Sequence, residues 1–145
     1  MPRQKINLPE RWAFSTAIPV RITDLNYGRH VGNDTMLSLL QEARVQWLRS
    51  LGYPSELLAE PVGLILVDIG IRFKAELVYG DVATVSIAVT EVSKRGFELT
   101  YFVTKGDEAA EVARATTGFV FFDYAARRLA EPPAEFFAKA GAPAA

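Results

Sequence analysis

The sequence contains no cysteine, one histidine and only two methionines. Without cysteine there is no disulfide, no thiolate nucleophile and no cysteine-held zinc, and the composition suits a reducing, cytoplasmic setting. One histidine among scattered acids makes no ligand cluster, so no metal is expected. Charge of one sign is lacking too: 16 Lys and Arg stand against 17 Asp and Glu, a net charge of −1. That balance leaves no field to gather a nucleic-acid backbone, so no nucleic-acid partner is expected. No apolar run reaches the roughly 20 residues of a bilayer span. Residues 1–15 carry scattered charges and resemble neither a signal peptide nor an anchor, so no membrane attachment is expected. Repeats and low-complexity linkers are missing, and only residues 132–145 drift towards alanine and proline.

What is present is an ordinary globular balance, 50% hydrophobic and 23% charged over 145 residues. This predicts one domain across residues 1–145, with its core over about 17–131 and a tail that frays or forms one short helix. Weak alternation over 17–23 predicts a first strand. A loop follows to Gly32, marked by Asn26, Gly28 and Gly32. Met36, Leu40, Ala43, Trp47 and Leu51 recur at helical spacing and predict a helix over 34–51. Asn33 is the expected N-cap, Asp34 complements the helix dipole, and Gly52 with Pro54 marks the stop. The helix carries little polar surface, so it should lie against a sheet over much of its girth.

Strands are expected next over 62–74, 82–92 and 97–104, with a long last strand ending near Asp123. The 62–74 segment is apolar and β-branched and is expected to be well buried. Short turns at Lys94-Arg95-Gly96 and Lys105-Gly106-Asp107 make antiparallel neighbours. The fold class is therefore α+β: a curled antiparallel sheet whose apolar face is filled by one long helix. A ferredoxin-like sandwich would need a second long helix between strands, and none is visible.

The segment from Asp24 to Asp34 is polar and delivers Asp24, Asn26 and His30 to the amino end of the helix. Free amides there carry partial positive charge and can hold a carbonyl as it gains negative charge. A carboxylate or an imidazole beside them can align water or act as general base. Glu42 lies mid-helix among apolar residues, where desolvation would make it a usable base. The alternative for Glu42 is a buried pair with Arg44 or Arg72. Asp68, inside an apolar strand, is unusual in the same way, with Arg72 four residues on as its expected partner. Lys94 and Arg95, with Arg127 and Arg128, are candidate cations for phosphate groups.

Asp24-Leu25-Asn26-Tyr27-Gly28-Arg29-His30-Val31-Gly32-Asn33, with Leu37 and Gln41-Glu42-Ala43-Arg44, resembles a known signature. It is that of the 4-hydroxybenzoyl-CoA thioesterase family of hotdog proteins, D-x-D-x-x-G-H-V-N-N-x-x-Y-L followed by E-E-A-R. Tyr79-Gly80-Asp81 and Ala113-Arg114-Ala115-Thr116, before an aromatic strand ending in Asp123, are similar as well. The resemblance implies a hotdog fold and an acyl-CoA thioesterase that cleaves a fatty or aromatic thioester to a free acid and a thiol. The substrate carrier would be coenzyme A or an acyl carrier protein, with no other cofactor. It also implies a homodimer or homotetramer with clefts between protomers.

The candidate catalytic set is Asp24, Asn26, His30, Asn33 and Glu42, of which the resemblance carries over the backbone amide near Asn33 as the donor that polarises the carbonyl. Asp34, Asp68, Lys94 and Arg95 are the candidate substrate-binding residues. One departure matters: Asn26 stands where the family's usual catalytic acid is found, and an amide is neither nucleophile nor base. A plant acyl-carrier-protein thioesterase loop is similar through His30 but has asparagine where Gly28 stands. Two alternatives follow from these departures. One is a hotdog protein that binds acyl-CoA without catalysis. The other is a hotdog enoyl-CoA hydratase, whose D-x-N-P-x-H loop the chain matches at Asp24 and Asn26 but without the proline.

Overall fold

Apolar residues at helical spacing bury one stripe of the long helix and so decide its length and its face. In a computed structural model that describes residues 5–142, this helix, α1, spans Asn33–Ser50. Met36, Leu39, Leu40, Ala43, Trp47 and Leu48 form the buried stripe, and Leu37 is left exposed. The predicted bounds hold to within a residue at each end. The cap does not: Gly32 occupies the N-cap and Asn33 is the first helical residue.

Five strands curl around that stripe and a sixth extends the rim: β1 (Phe14–Pro19), β2 (Val62–Phe73), β3 (Val82–Val92), β4 (Gly96–Lys105), β5 (Ala110–Asp123) and β6 (Arg128–Leu129). The main order is β1-β3-β4-β5-β2, with β6 on β5, and every pairing is antiparallel. A curled antiparallel sheet around one long helix is the hotdog arrangement. Alternate residues of the central strands (Val85 and Ile87, Leu99 and Tyr101, Ala115 and Phe119) point inward and are buried beneath α1. Each large inward side chain contributes about 1.5–3 kcal/mol by leaving water.

Two strands differ from expectation. β1 starts and ends earlier than 17–23, because Phe14, Thr16 and Ile18 are its inward residues and Pro19, with no amide proton, closes it. β2 is not well buried along its length. It is an edge strand with a register shift between Leu66 and Asp68, and Leu66, Val67, Asp68 and Ile69 are all exposed.

Among the described residues the tail forms the expected short helix. α2 (Phe136–Ala140) inserts Phe136 among the rings of Trp47, Phe97 and Phe121 and closes one end of the core. Residues 143–145 lie outside the described region. Residues ahead of β1 cross the outer face of the sheet: Trp12 stacks on Phe102, and Ile6 is buried with its carbonyl accepting from Arg114 Nη1.

Gly96 opens β4 rather than sitting in the turn, and the reason is steric. A Cβ built there falls onto the Phe119 carbonyl oxygen of β5, well inside van der Waals contact. Gly96→Ala must therefore move backbone, and an expected loss of about 2 kcal/mol follows from overpacking of that kind. Urea unfolding of the two proteins measures it.

Candidate active site

The loop into α1 is built from short-range bonds. Asp24 ends the 3-10 turn, is only 4% exposed, and its carboxylate accepts from the Arg21 amide at 2.7 Å. The same carboxylate pairs with Arg21 Nη2 at 3.4 Å. Leu25 and Val31 then bridge, enclosing a tight loop in which the Asn26 amide donates to the His30 carbonyl at 2.9 Å. Asn26 Oδ1 accepts from the Gly28 amide at 2.8 Å, an Asx turn, and Arg29 takes the left-handed conformation. The Val31 amide donates to the Leu77 carbonyl, which ties the loop to the segment after β2.

This bracing turns His30 towards a cleft of about 260 Å³ at the start of α1, lined also by Asn33, Met36, Phe73, Lys74 and Glu76. His30 Nδ1 lies 3.2 Å from the Val31 carbonyl oxygen, and Nε2 lies 3.9 Å from Glu76 Oε1. A carbonyl only accepts, so the contact favours the tautomer with the proton on Nδ1 and the lone pair on Nε2. No side chain caps α1, because Gly32 at the N-cap has none to offer. The amides of the first turn keep their partial positive charge beside the same cleft. The Asp34 carboxylate folds back over Gly32, so that a Cβ on Gly32 would lie 2.6 Å from Asp34 Oδ1.

The candidate residues fall into four places. His30 and Asn33 share the cleft at the helix start, and Asn26 backs onto it through Gly28 and Gly32. Asp24 and Glu42 line a different cleft of about 410 Å³, between α1 and β1, with Ser38, Leu39 and Gln46. Glu42 is exposed there and accepts from Gln46 Nε2 at 2.8 Å, so the expected desolvation is absent. The alternative, a buried pair with Arg44 or Arg72, is also absent among the described residues: Glu42 faces the β1 side of the helix, whereas Arg44 is buried against the sheet and pairs with Glu56. Asp68 lies at the β2 register shift with Glu98 and Gly118 on the outer face, and among the described residues it does not pair with Arg72. Lys94 and Arg95 sit at the β3–β4 turn, where Arg95 pairs with Glu131 at 3.4 Å.

The family model of the thioesterase-like superfamily matches residues 20–140, nearly the whole of the sheet and helix just described. The chain belongs to the thioesterase-like superfamily. A long-chain acyl-CoA thioesterase of Escherichia coli (strain K12), FadM, is 27% identical over 110 residues, 76% of this chain and 83% of that protein. The crystal structure of a 1,4-dihydroxy-2-naphthoyl-CoA thioesterase from Synechocystis superposes with a TM-score of 0.79 at 25% identity, covering 88% of this chain and 95% of the other. A Staphylococcus aureus protein solved in complex with CoA shares the fold, with a TM-score of 0.81 at 15% identity over 97% of this chain and 92% of its own.

In this thioesterase-like chain the carboxylate nearest His30 Nε2 within its cleft is Glu76, a residue the sequence reading did not single out. It lies 46 residues beyond His30 in a segment with no motif, and the Val31–Leu77 bond joins the two segments. Among the described residues no group of three or more His, Asp or Glu side chains converges as a metal-ligand set. No described helix is long and apolar enough to cross a membrane.

Proposed function

We propose that this protein is an acyl-CoA thioesterase whose reaction takes place at the start of α1. The reading is carried by one observation: an uncapped helix start and the only histidine open on the same cleft. The thioester carbonyl docks against the first-turn amides. Water adds to the carbonyl carbon and gives its proton to His30 Nε2, while the oxyanion is held by those amides. The tetrahedral intermediate then expels the thiolate, which takes the proton from the imidazolium. The products are a carboxylic acid and a free thiol. Glu76 steadies the imidazolium from the cleft wall, and Asn26 holds the loop that presents His30. Asp24 acts as the brace of that loop. No cofactor is needed beyond the coenzyme A that the substrate carries.

The acting form is a homodimer. β2 presents unpaired backbone groups together with exposed Leu66, Val67, Ile69 and Phe73, an edge that soluble proteins cover. Two copies of one edge meet about a two-fold axis, which makes the strands antiparallel. The Val62 end of one β2 then faces the Phe73 end of the other. Lys94 and Arg95 lie at the Val62 end and so approach the partner's cleft, where they can meet substrate. The absence of cysteine supports a cytoplasmic location.

Thiol release from long-chain and aromatic acyl-CoAs tests the reading directly. Release above the uncatalysed rate supports it. Loss of enoyl absorbance without thiol would point to hydration instead, and tight binding with neither signal to a non-catalytic acyl-CoA binder. Within the reading, Glu76→Gln is expected to lower kcat about tenfold, since a neighbouring charge of that kind assists proton transfer modestly. Glu42→Gln, on the other cleft, is expected to stay within about twofold of the wild type. The reverse ranking would move the chemistry to the α1–β1 cleft.

A further inference from the structure

Beside the His30 cleft is a second hollow, of about 360 Å³, with three cations and one carboxylate in its lining: Arg72, Lys74, Arg114 and Glu111. Phe73 and Lys74 line both hollows, so a ligand can pass from one to the other across Phe73. Arg72 and Arg114 are direct partners in the β2–β5 ladder, so their side chains leave the same face of the sheet. Like charges set opposite each other on adjacent strands repel, and an anion placed between them relieves that repulsion. Lys74, two residues beyond Arg72 on the strand's run, adds a third charge.

The one carboxylate does not satisfy this cluster. Glu111 is committed to Arg114 through a two-pronged pair, Nε to Oε2 at 2.9 Å and Nη2 to Oε1 at 3.0 Å. Arg114 is further fixed by donating Nη1 to the Ile6 carbonyl and by lying over the Phe102 ring. Its hydrogen bonds to Glu111, then its charge, with Lys74 and Arg72 adding theirs, hold that carboxyl below its ordinary range. Among the described residues Arg72 and Lys74 form no ion pair of their own. A rigid guanidinium, two uncommitted cations and an open polar hollow are suited to a phosphate group, which arginine grips through two parallel bonds.

We infer that Arg72, Lys74 and Arg114 form a subsite for the phosphate-bearing end of a phosphopantetheine thioester, joined to the His30 cleft across Phe73. The inference rests on the thioesterase reading for its ligand. It is nevertheless tested by binding alone, so the two can fail separately. Titration calorimetry with coenzyme A, 4′-phosphopantetheine and pantetheine compares ligands that share one arm and differ in phosphates.

The double variant Arg72→Gln/Lys74→Gln is expected to bind coenzyme A at least tenfold more weakly and pantetheine as the wild type does. If 4′-phosphopantetheine binds the wild type as tightly as coenzyme A, the subsite reads the single phosphate that a carrier protein also bears. If coenzyme A binds at least tenfold more tightly, the subsite reads the additional phosphates of the nucleotide. Either result supports the subsite and names its source. Raising salt on the wild-type protein gives a second measure, because screening should weaken coenzyme A and spare pantetheine. Wild-type affinity for coenzyme A in the double variant, or equal salt sensitivity for both ligands, overturns the inference.

Discussion

His30→Ala is expected to lower kcat for acyl-CoA hydrolysis by about a hundredfold or more, the usual worth of a positioned general base. Several features make this side chain the place to expect a large effect. Its Nδ1 is occupied by the Val31 carbonyl, so Nε2 is the nitrogen left to take a proton. The loop that carries it is tied by the Leu25–Val31 bridge and by the Val31–Leu77 bond, which fix the backbone from which the ring projects. It is also the sole histidine, and no second imidazole is present to substitute. The ring is about one-third exposed, with a side-chain accessibility of 32%, so its loss should leave the melting temperature nearly unchanged. Steady-state thiol release gives kcat and KM together. A fall in kcat with KM little altered marks a group that acts in the transition state. A variant that keeps the wild-type rate would remove His30 from the proton transfer.

Local pattern carried the reading far where one element decides its own environment. The α1 stripe follows from 3.6-residue spacing, and Val85, Ile87 and Val89 face inward as alternation requires. Patterns fail where a neighbour in space decides. β2 is as apolar in sequence as a buried strand, yet only its place at the edge of the sheet, set by which strands pair, leaves Val67 60% exposed. Phe136 has the look of a tail residue and is buried only because the core leaves a gap at its end.

The candidate site divides along the same line. Loop residues close in sequence, His30 and Asn33, do come together. Glu42 lies on the helix that starts this site, but its position around the helix turns it to the β1 side with Asp24. Being on the right helix is not enough, because successive residues point about 100° apart around its axis. Glu76 meets His30 where the Val31–Leu77 bond joins two segments, and Arg72 meets Arg114 through the β2–β5 register; no short window of sequence contains either contact.

Arg44 shows how a signature residue can serve the fold rather than the chemistry, and its replacement carries the largest expected loss of stability. At 6% exposure it donates Nε to Glu56 at 3.2 Å and Nη1 to the Tyr101 hydroxyl at 3.0 Å, and it lies over the Phe119 ring. Tyr101 in turn meets Thr117 Oγ1 at 2.7 Å, deep between α1 and the sheet. Arg44→Ala empties this volume and leaves the Tyr101 hydroxyl and the Glu56 carboxylate short of a partner. An expected loss of about 3 kcal/mol follows from breaking a buried, hydrogen-bonded charge pair on one side. Arg44→Met keeps much of the volume and should lose less, which separates packing from polarity.

The pH dependence gives an independent reading of the same network. Burial pushes the Tyr101 phenol above its ordinary 10.0, and the Arg44 charge opposes that shift. A phenol kept protonated in the fold but free to ionise when unfolded stabilises fully below pH 10.0, and that contribution is lost as pH rises through the folded value. Arg44→Met removes the opposing charge, moves the folded value higher and should extend the alkaline loss. Tyr101→Phe should abolish this part of the dependence. Urea unfolding between neutral and strongly alkaline pH checks the order. If Arg44→Met and wild type lose stability in parallel, Arg44 is not coupled to the phenol, and the network is two separate contacts.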